Sequence, residues 1–299
     1  MTLELPGTEQ VDERYRSIDT ASVADLARLM NEADEQVPKA VGRAMPQIVP
    51  AIEAVAERLT AGGRLIYVGA GSAGRLGVLD AAEIPPTFNT RPGLVQAIMA
   101  GGGEALRVAV EGAEDDVAAG RAAMSKHDVT AADVVVGVAA SGRTPFVLAA
   151  VRAARERGAL TVGLSCNANA KLSAEARYPI EVLTGPEVIA GSTRLKAGTA
   201  QKLVLNMIST ITMIKLGKTY GNLMVDLRVT NAKLRDRALR IIEQVTGASR
   251  PEAEVALDSA GLDVKVAVMM IGNSSTVDGA ARLLAAHAGR LREALEAGR

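Results

Sequence analysis

Residues Arg64–Thr90 read RLIYVGAGSAGRLGVLDAAEIPPTFNT. The short β-branched run Leu65–Val68 predicts a buried strand. It breaks into a loop carrying Gly69, Gly71 and Gly74, then a helix over Gly74–Ala82, and Glu83 stands just ahead of Pro85-Pro86. A glycine loop between a strand and a helix presents backbone N–H groups at a positive helix end, where an anion binds. The three glycines also match the G-x-G-x-x-G spacing of dinucleotide folds, a weak signal by itself.

Working outward, strands and helices alternate. Further strands are predicted at Leu94–Met99, Val134–Ala139, Leu160–Ser165 and Ile180–Leu183, with helices at Val117–Ser125 and Pro145–Arg157 between them. Apolar, V/I/L-rich strands in alternation with helices predict a parallel sheet covered on both faces, an α/β architecture. Before it, residues 1 to about 20 read as an irregular arm, and Ala21–Leu59 has helical periodicity (Val23, Leu26, Leu29 and Met30 on one face; Ile48, Ile52, Val55 and Leu59 on another). After it, Ala197–Leu216 reads as a long helix ended by Gly217. From Thr230 the pattern is all-helical: Asn231–Val245, Pro251–Ser259, Val264–Ile271 and one helix over Ser275–Ala297, the last three forming a small C-terminal bundle. The expected domains are 1–52 (arm and helices), 53–220 (the sheet domain) and 221–299 (the C-terminal helical region).

Composition narrows the function classes. The 299 residues carry 34 Lys plus Arg against 34 Asp plus Glu, so no global field draws nucleic acid or anionic membrane. Aromatics are 2% with no Trp, which removes the stacking platforms of single-strand binders. No apolar run approaches the roughly 18 residues of a membrane span, and Met1–Gln10 has no basic and apolar signal-peptide pattern. One cysteine, Cys166, allows no internal disulfide, and with two histidines, His127 and His287, a His/Cys zinc cluster is not expected. A soluble, cytoplasmic, globular protein without a structural metal is the expectation.

A dinucleotide site needs an acidic residue at the end of the second strand, to hold the ribose hydroxyls. Here that strand ends Ile98-Met99-Ala100-Gly101, with no acid. The loop instead offers Ser72 and Arg75, which suit a phosphate monoester; a ligand-free tight turn is the plainer alternative. A second loop, Ala140-Ser141-Gly142-Arg143-Thr144-Pro145, again ends a strand and opens a helix, with Pro145 in a first-turn position. Thr144 there is an N-cap or a ligand hydroxyl. Two hydroxyl-bearing loops at carboxyl ends of parallel strands form the crevice in which such sheets bind ligands, and would hold a sugar phosphate.

With no histidine in any motif, proton transfer falls to carboxylates, a lysine or a tyrosine. If the prolines stop the helix, Glu83 lies in its last turn. There the negative dipole end and partial burial disfavour its charged form and suit a general acid; an exposed helix-end glutamate is the alternative. Glu114 lies in VEGAEDD, which opens the next helix, where acids are commonly only stabilising. The stretch from Gly185 to Lys202, GPEVIAGSTRLKAGTAQK, reads either as another anion-facing loop or as a connection with solvated basic residues.

Taken together, GAGSAGRLGVLDAAEIPPTF, VEGAEDD, ASGRTP, GPEVIAGSTRLKAGTAQK and YGNLMVD resemble the N-acetylmuramic acid 6-phosphate etherase family, in the expected order over nearly the whole chain. The resemblance implies a sugar-isomerase (SIS) domain, a parallel αβα sandwich, followed by a helical region with a bundle like a ubiquitin-associated domain. It implies a bacterial homodimer acting on a small-molecule sugar phosphate, with no cofactor. The lactyl ether would be cleaved to N-acetylglucosamine 6-phosphate and D-lactate. Glu83 matches the family's acid and Glu114 its second catalytic carboxylate; Gly71, Ser72, Ser141, Gly142, Arg143 and Thr144 match its phosphate-binding turns.

Two positions depart from the family pattern. Where the family has T-S-G-R this chain has Ser72-Ala73-Gly74-Arg75, and where it has S-E-C-P-P this chain has Ala82-Glu83-Ile84-Pro85-Pro86. The missing hydroxyl at Ala73 is expected to weaken phosphate affinity by about 1 kcal/mol if uncompensated. The rival classes are a non-catalytic phosphosugar sensor like the related glucokinase regulatory protein, which need not keep both carboxylates, and an aldose–ketose isomerase on fold alone. A phosphosugar-responsive transcription factor would need a basic face and a helix-turn-helix.

Overall fold

Val134, Val135 and Val136 have no exposed surface, and neither do Leu65, Ile66 and Val68. These runs are the middle of a sheet buried on both faces, as unbroken apolar strands require. The computed structural model describes residues 6–298. In chain order it has α1 (Val23–Asp34), α2 (Gln36–Arg43), α3 (Met45–Thr60), β1 (Leu65–Gly69), α4 (Gly71–Phe88), β2 (Val95–Met99), α5 (Val117–Lys126), β3 (Val134–Val138), α6 (Pro145–Glu156), β4 (Leu160–Ser165), α7 (Lys171–Glu175), β5 (Tyr178–Glu181) and α8 (Lys196–Lys215). Then follow α9 (Ala232–Thr246), α10 (Arg250–Ser259), α11 (Val264–Gly272), α12 (Val277–Ala286) and α13 (Leu291–Ala297).

The five strands are all parallel, in the order β2-β1-β3-β4-β5. From β1 the chain goes to one side for β2, then crosses over to place β3 on the other side. Gly69 pairs with Met99 on one flank and with Val138 on the other, so the three strands end level. The turns leaving β1 and β3 therefore diverge from neighbouring strand ends, the switch point at which open α/β sheets bind ligands. One face of the sheet is filled by α5 and α6 through Met124, Phe146, Val147 and Val151.

The chain forms two compact units. One takes the described residues through Ala82 together with Gly93–Ser209; the other takes Glu83–Pro92 with the residues from Thr210 on. In the second unit α9 to α13 pack around Ile242, Leu257, Val268, Met269 and Leu291. Their starts are written in the sequence: Asn231, Asp263 and Thr276 each cap a first turn with a side-chain oxygen, and Ser249 with Glu252 makes a capping box. Lys265 is buried among them. Its ammonium donates to the carbonyl oxygens of Gly217 and Gly289 at 2.9 and 2.7 Å and to the Asp226 carboxylate at 2.5 Å. Asp226 closes the YGNLMVD motif.

Two expectations need correction. The helix expected over Ser275–Ala297 is two, because Ala288 and Gly289 take left-handed backbone (φ 51° and 73°) and reverse the chain after α12. Helix α4 does not stop at Ala82: it runs through Pro85 and Pro86 to Phe88. Proline's fixed φ suits a helix, and what it costs is one carbonyl partner a turn earlier rather than the helix itself. Over its described part the N-terminal arm carries only short turns, at Gly7–Glu9, Glu13–Tyr15 and Ile18–Thr20. Its first five residues lie outside the described residues, but Thr8 and Tyr15 are buried.

Candidate active site

At the β1–α4 turn the glycines answer to close packing. A Cβ on Gly69 would meet the Gly74 backbone at 2.7 Å, and one on Gly74 would meet the Gly69 oxygen at 2.8 Å. Gly71 has φ 54° and faces open space. The first backbone bond of the helix runs from the Gly74 N–H to the Ala70 oxygen, at 3.1 Å. The N–H groups ahead of it have no intrahelical partner, at the positive end of an 18-residue helix. Ser72 is half-buried beside them, whereas Ala73 is 8% exposed and turned inward. Arg75, read above as a cation for the phosphate, has another task. Its guanidinium donates to the carbonyl oxygens of Ala105 and Leu106 at 2.7 and 3.2 Å, holding the turn that follows β2.

At the β3–α6 turn Gly142 is required twice over. Its φ is 63°, and a Cβ there would lie 2.4 Å from the Ala170 Cβ. The Ser141 hydroxyl accepts the Arg143 N–H at 3.2 Å. Thr144 stands at the N-cap of α6, but its side chain makes no capping bond, so the hydroxyl is left for other partners. Arg143 is exposed.

Glu114 sits in a short turn, Ala113–Asp115, entered through Gly112 with φ 72°. It lines a cleft of about 320 Å³ with Ala70, Gly71, Arg75 and Glu111. The cleft thus joins the β1 turn to Glu114. Ser72 lines a second groove, shared with Arg194, Thr199 and Lys202. Glu83 is exposed, and with α4 continuing to Phe88 the helix-end placement and partial burial expected for it are not found.

In the Gly185–Lys202 segment Arg194 and Lys202 are exposed, whereas Glu187 and Lys196 are buried. Glu187 is 1% exposed and its carboxylate accepts the N–H groups of Lys196 and Ala197 at 3.0 and 2.9 Å, so the N-terminus of α8 already holds an anion from its own chain. Burial pushes the Glu187 carboxyl upward, against those two bonds. Lys196 is buried, not solvated; its ammonium donates to the Thr184 oxygen at 2.9 Å, and burial lowers its pKa. A second buried carboxylate escaped the sequence reading. Asp80 accepts from the Tyr67 hydroxyl at 2.8 Å, the Asn206 amide at 2.6 Å and the Ser209 hydroxyl at 3.1 Å, tying β1, α4 and α8 together. Burial raises the Asp80 pKa despite these donors. No sequence spacing marks Asp80, since Asn206 and Ser209 lie 126 and 129 residues away in the chain.

Among the described residues no helix is long and apolar enough to cross a membrane. Family models match along the chain: the N-terminal SIS domain of glucokinase regulatory protein over residues 47–155, the SIS domain over 114–211, and the C-terminal lid domain of glucokinase regulatory protein over 221–269. A solved phosphoheptose isomerase from Francisella tularensis is 18% identical, with a TM-score of 0.49, covering 64% of this chain and 98% of that one. The N-acetylmuramic acid 6-phosphate etherase of Streptomyces coelicolor is 56% identical, covering 99% of this chain and 95% of its own. That of Rubrobacter xylanophilus is also 56% identical, over 98% of this chain and 96% of its own. With identity of this order over almost its full length, the chain belongs to the N-acetylmuramic acid 6-phosphate etherase family.

Proposed function

We propose that this chain cleaves the lactyl ether of N-acetylmuramic acid 6-phosphate, giving N-acetylglucosamine 6-phosphate and D-lactate, as a carbon–oxygen lyase. The observation that carries the reading is the pair of hydroxyl-bearing turns at the level ends of β1 and β3, beside a cleft that Glu114 lines. Ser72 with the N–H groups opening α4, and Ser141, Gly142, Arg143 and Thr144 opening α6, would hold the phosphate. The sugar-phosphate domain is assigned to 53–220 and the helical region with its bundle to 221–299.

The chemistry needs two carboxylates in different protonation states. In the open-chain aldehyde the carbonyl acidifies the C2 proton, which the Glu114 carboxylate removes. The C3–oxygen bond then breaks, the departing lactyl oxygen takes a proton from Glu83, and a C2–C3 double bond forms. Water adds to that unsaturated aldehyde at C3, its proton returning through the carboxylates. The two glutamates take these roles from the family resemblance. Solvent deuterium entering C2 with Glu83→Ala, but not with Glu114→Ala, supports the assignment; the opposite pattern reverses it.

A homodimer working in the cytoplasm is part of the same reading. The test is incubation of the pure protein with N-acetylmuramic acid 6-phosphate and measurement of released D-lactate. Release supports the etherase. No lactate from folded protein that still binds the sugar phosphate would make it a phosphosugar sensor instead.

A further inference from the structure

The Ala140 carbonyl and the Ser141 N–H belong to one planar peptide unit and point in opposite directions. Whatever holds the carbonyl therefore aims the N–H at the start of the phosphate turn. Two donors hold it: the Cys166 N–H at 2.9 Å and the Asn167 side-chain amide at 2.9 Å. The far end of the turn is held too, by the Leu172 N–H on the Gly142 oxygen at 3.0 Å.

Asn167 is in turn held by the N-terminal segment. Thr8 is fully buried. Its N–H donates to the Asn167 side-chain oxygen at 3.2 Å, and its hydroxyl accepts the second amide hydrogen of Asn167 at 3.0 Å. The Thr8 carbonyl accepts the Gly191 N–H at 3.1 Å, which anchors the strap to the segment before α8. Both hydrogens of the amide are used, one on Thr8 and one on Ala140, so the orientation of the amide is determined from both sides.

We propose that Thr8 and Asn167 are positioning residues of the phosphate site: the N-terminal strap fixes the Asn167 amide, the amide fixes the Ala140–Ser141 peptide plane, and that plane presents the Ser141 N–H to the anion, the Gly142 and Arg143 N–H groups being held by the Ala139 oxygen and the Ser141 hydroxyl. This rests on reading Ser141–Thr144 as a phosphate turn. Neither residue touches the substrate. With Thr8→Val the volume is kept and only the hydroxyl acceptor is lost, leaving one amide hydrogen of Asn167 unpaired and the amide held by the Thr8 N–H and the Ala140 oxygen alone.

The experiment compares wild type with Thr8→Val, Thr8→Ser and Asn167→Asp in three measurements: KM and kcat for D-lactate release, binding of inorganic phosphate by calorimetry, and amide hydrogen exchange at residues 141–144. For Thr8→Val, KM and the phosphate Kd rise together by about tenfold while kcat stays within about twofold, as loss of ground-state binding requires. Exchange at 141–144 quickens, and Thr8→Ser restores wild-type values. Asn167→Asp, which removes the donor to Ala140, shows the same pattern if Thr8→Val folds poorly. A lower melting temperature with KM and phosphate Kd unchanged would make the strap merely structural and overturn the proposal. If wild type releases no lactate but Thr8→Val still weakens phosphate binding, the etherase reading fails while the positioning role stands.

Discussion

The Glu187 carboxylate accepts the Lys196 backbone N–H at 3.0 Å, with both residues more than nine-tenths buried. The acid comes from outside the helix whose start it caps, and its own charge balances the ammonium that the fold buries next to it. Glu187→Ala removes a charge-assisted cap and leaves Lys196 with only the Thr184 oxygen. It should destabilise by about 2–3 kcal/mol, which thermal unfolding would read as a melting point lower by about 4–12 °C. Glu187→Gln, which keeps one acceptor, should fall between. Because burial raises the Glu187 pKa above its unfolded value of 4.5, ionising the buried acid costs stability as pH rises from that value through the folded one, a cost that the two backbone bonds and the Lys196 charge offset only in part.

The Arg64–Asp133 pair runs the other way with pH. Burial alone would push the Asp133 carboxyl up, but the Arg64 guanidinium (2.9 and 2.7 Å) and the Thr130 N–H (2.9 Å) hold it below the ordinary 3.8. Its stabilisation is therefore present above pH 3.8 and lost as pH falls through the folded value. Asp133→Asn should cost about 2–3 kcal/mol at neutral pH. Below pH 3.8 its denaturant midpoint should fall less steeply than that of wild type. Parallel acid limbs in the two proteins would remove Asp133 from the account.

Ser72 and Ala73 are neighbours with opposite fates. The departure at Ala73 reads, in sequence, as a hydroxyl missing from the phosphate site. Ala73 is 8% exposed, so on the proposed reading its side chain does not face the phosphate, and Ala73→Ser should leave KM unchanged. Ser72→Ala should raise KM by about tenfold or more, the worth of one hydrogen bond to a charged group, with kcat little affected. A lower KM in Ala73→Ser would restore the sequence-based view.

These contrasts show what a sequence carries and what it does not. The parallel sheet was legible because strands buried on both faces must be apolar at every position, and β3 reads Val-Val-Val-Gly-Val. The two hydroxyl turns were legible because each follows such a strand directly. The end of α4 was not, because proline's backbone angle fits a helix and only the surroundings decide whether two unpaired carbonyls are tolerated. Burial of Lys196 was hidden because it depends on a carbonyl twelve residues away in the chain. The strap was hidden further still, since Thr8 and Asn167 are 159 residues apart.

Gly142 joins stability to binding. Gly142→Ala meets a left-handed backbone and an Ala170 Cβ 2.4 Å from the new methyl. Strain in the backbone of about 1–2 kcal/mol and overpacking of about 1–3 kcal/mol should together destabilise by about 2–5 kcal/mol. Relief of the clash by shifting the turn would also displace Ser141 and Thr144, so KM should rise in whatever protein remains folded. Thermal unfolding with and without inorganic phosphate separates the two effects. Wild type should gain stability on adding phosphate, by mass action on the folded state. Gly142→Ala should gain much less at the same concentration. An equal gain in both proteins would mean that the turn around Gly142 is not where the phosphate binds.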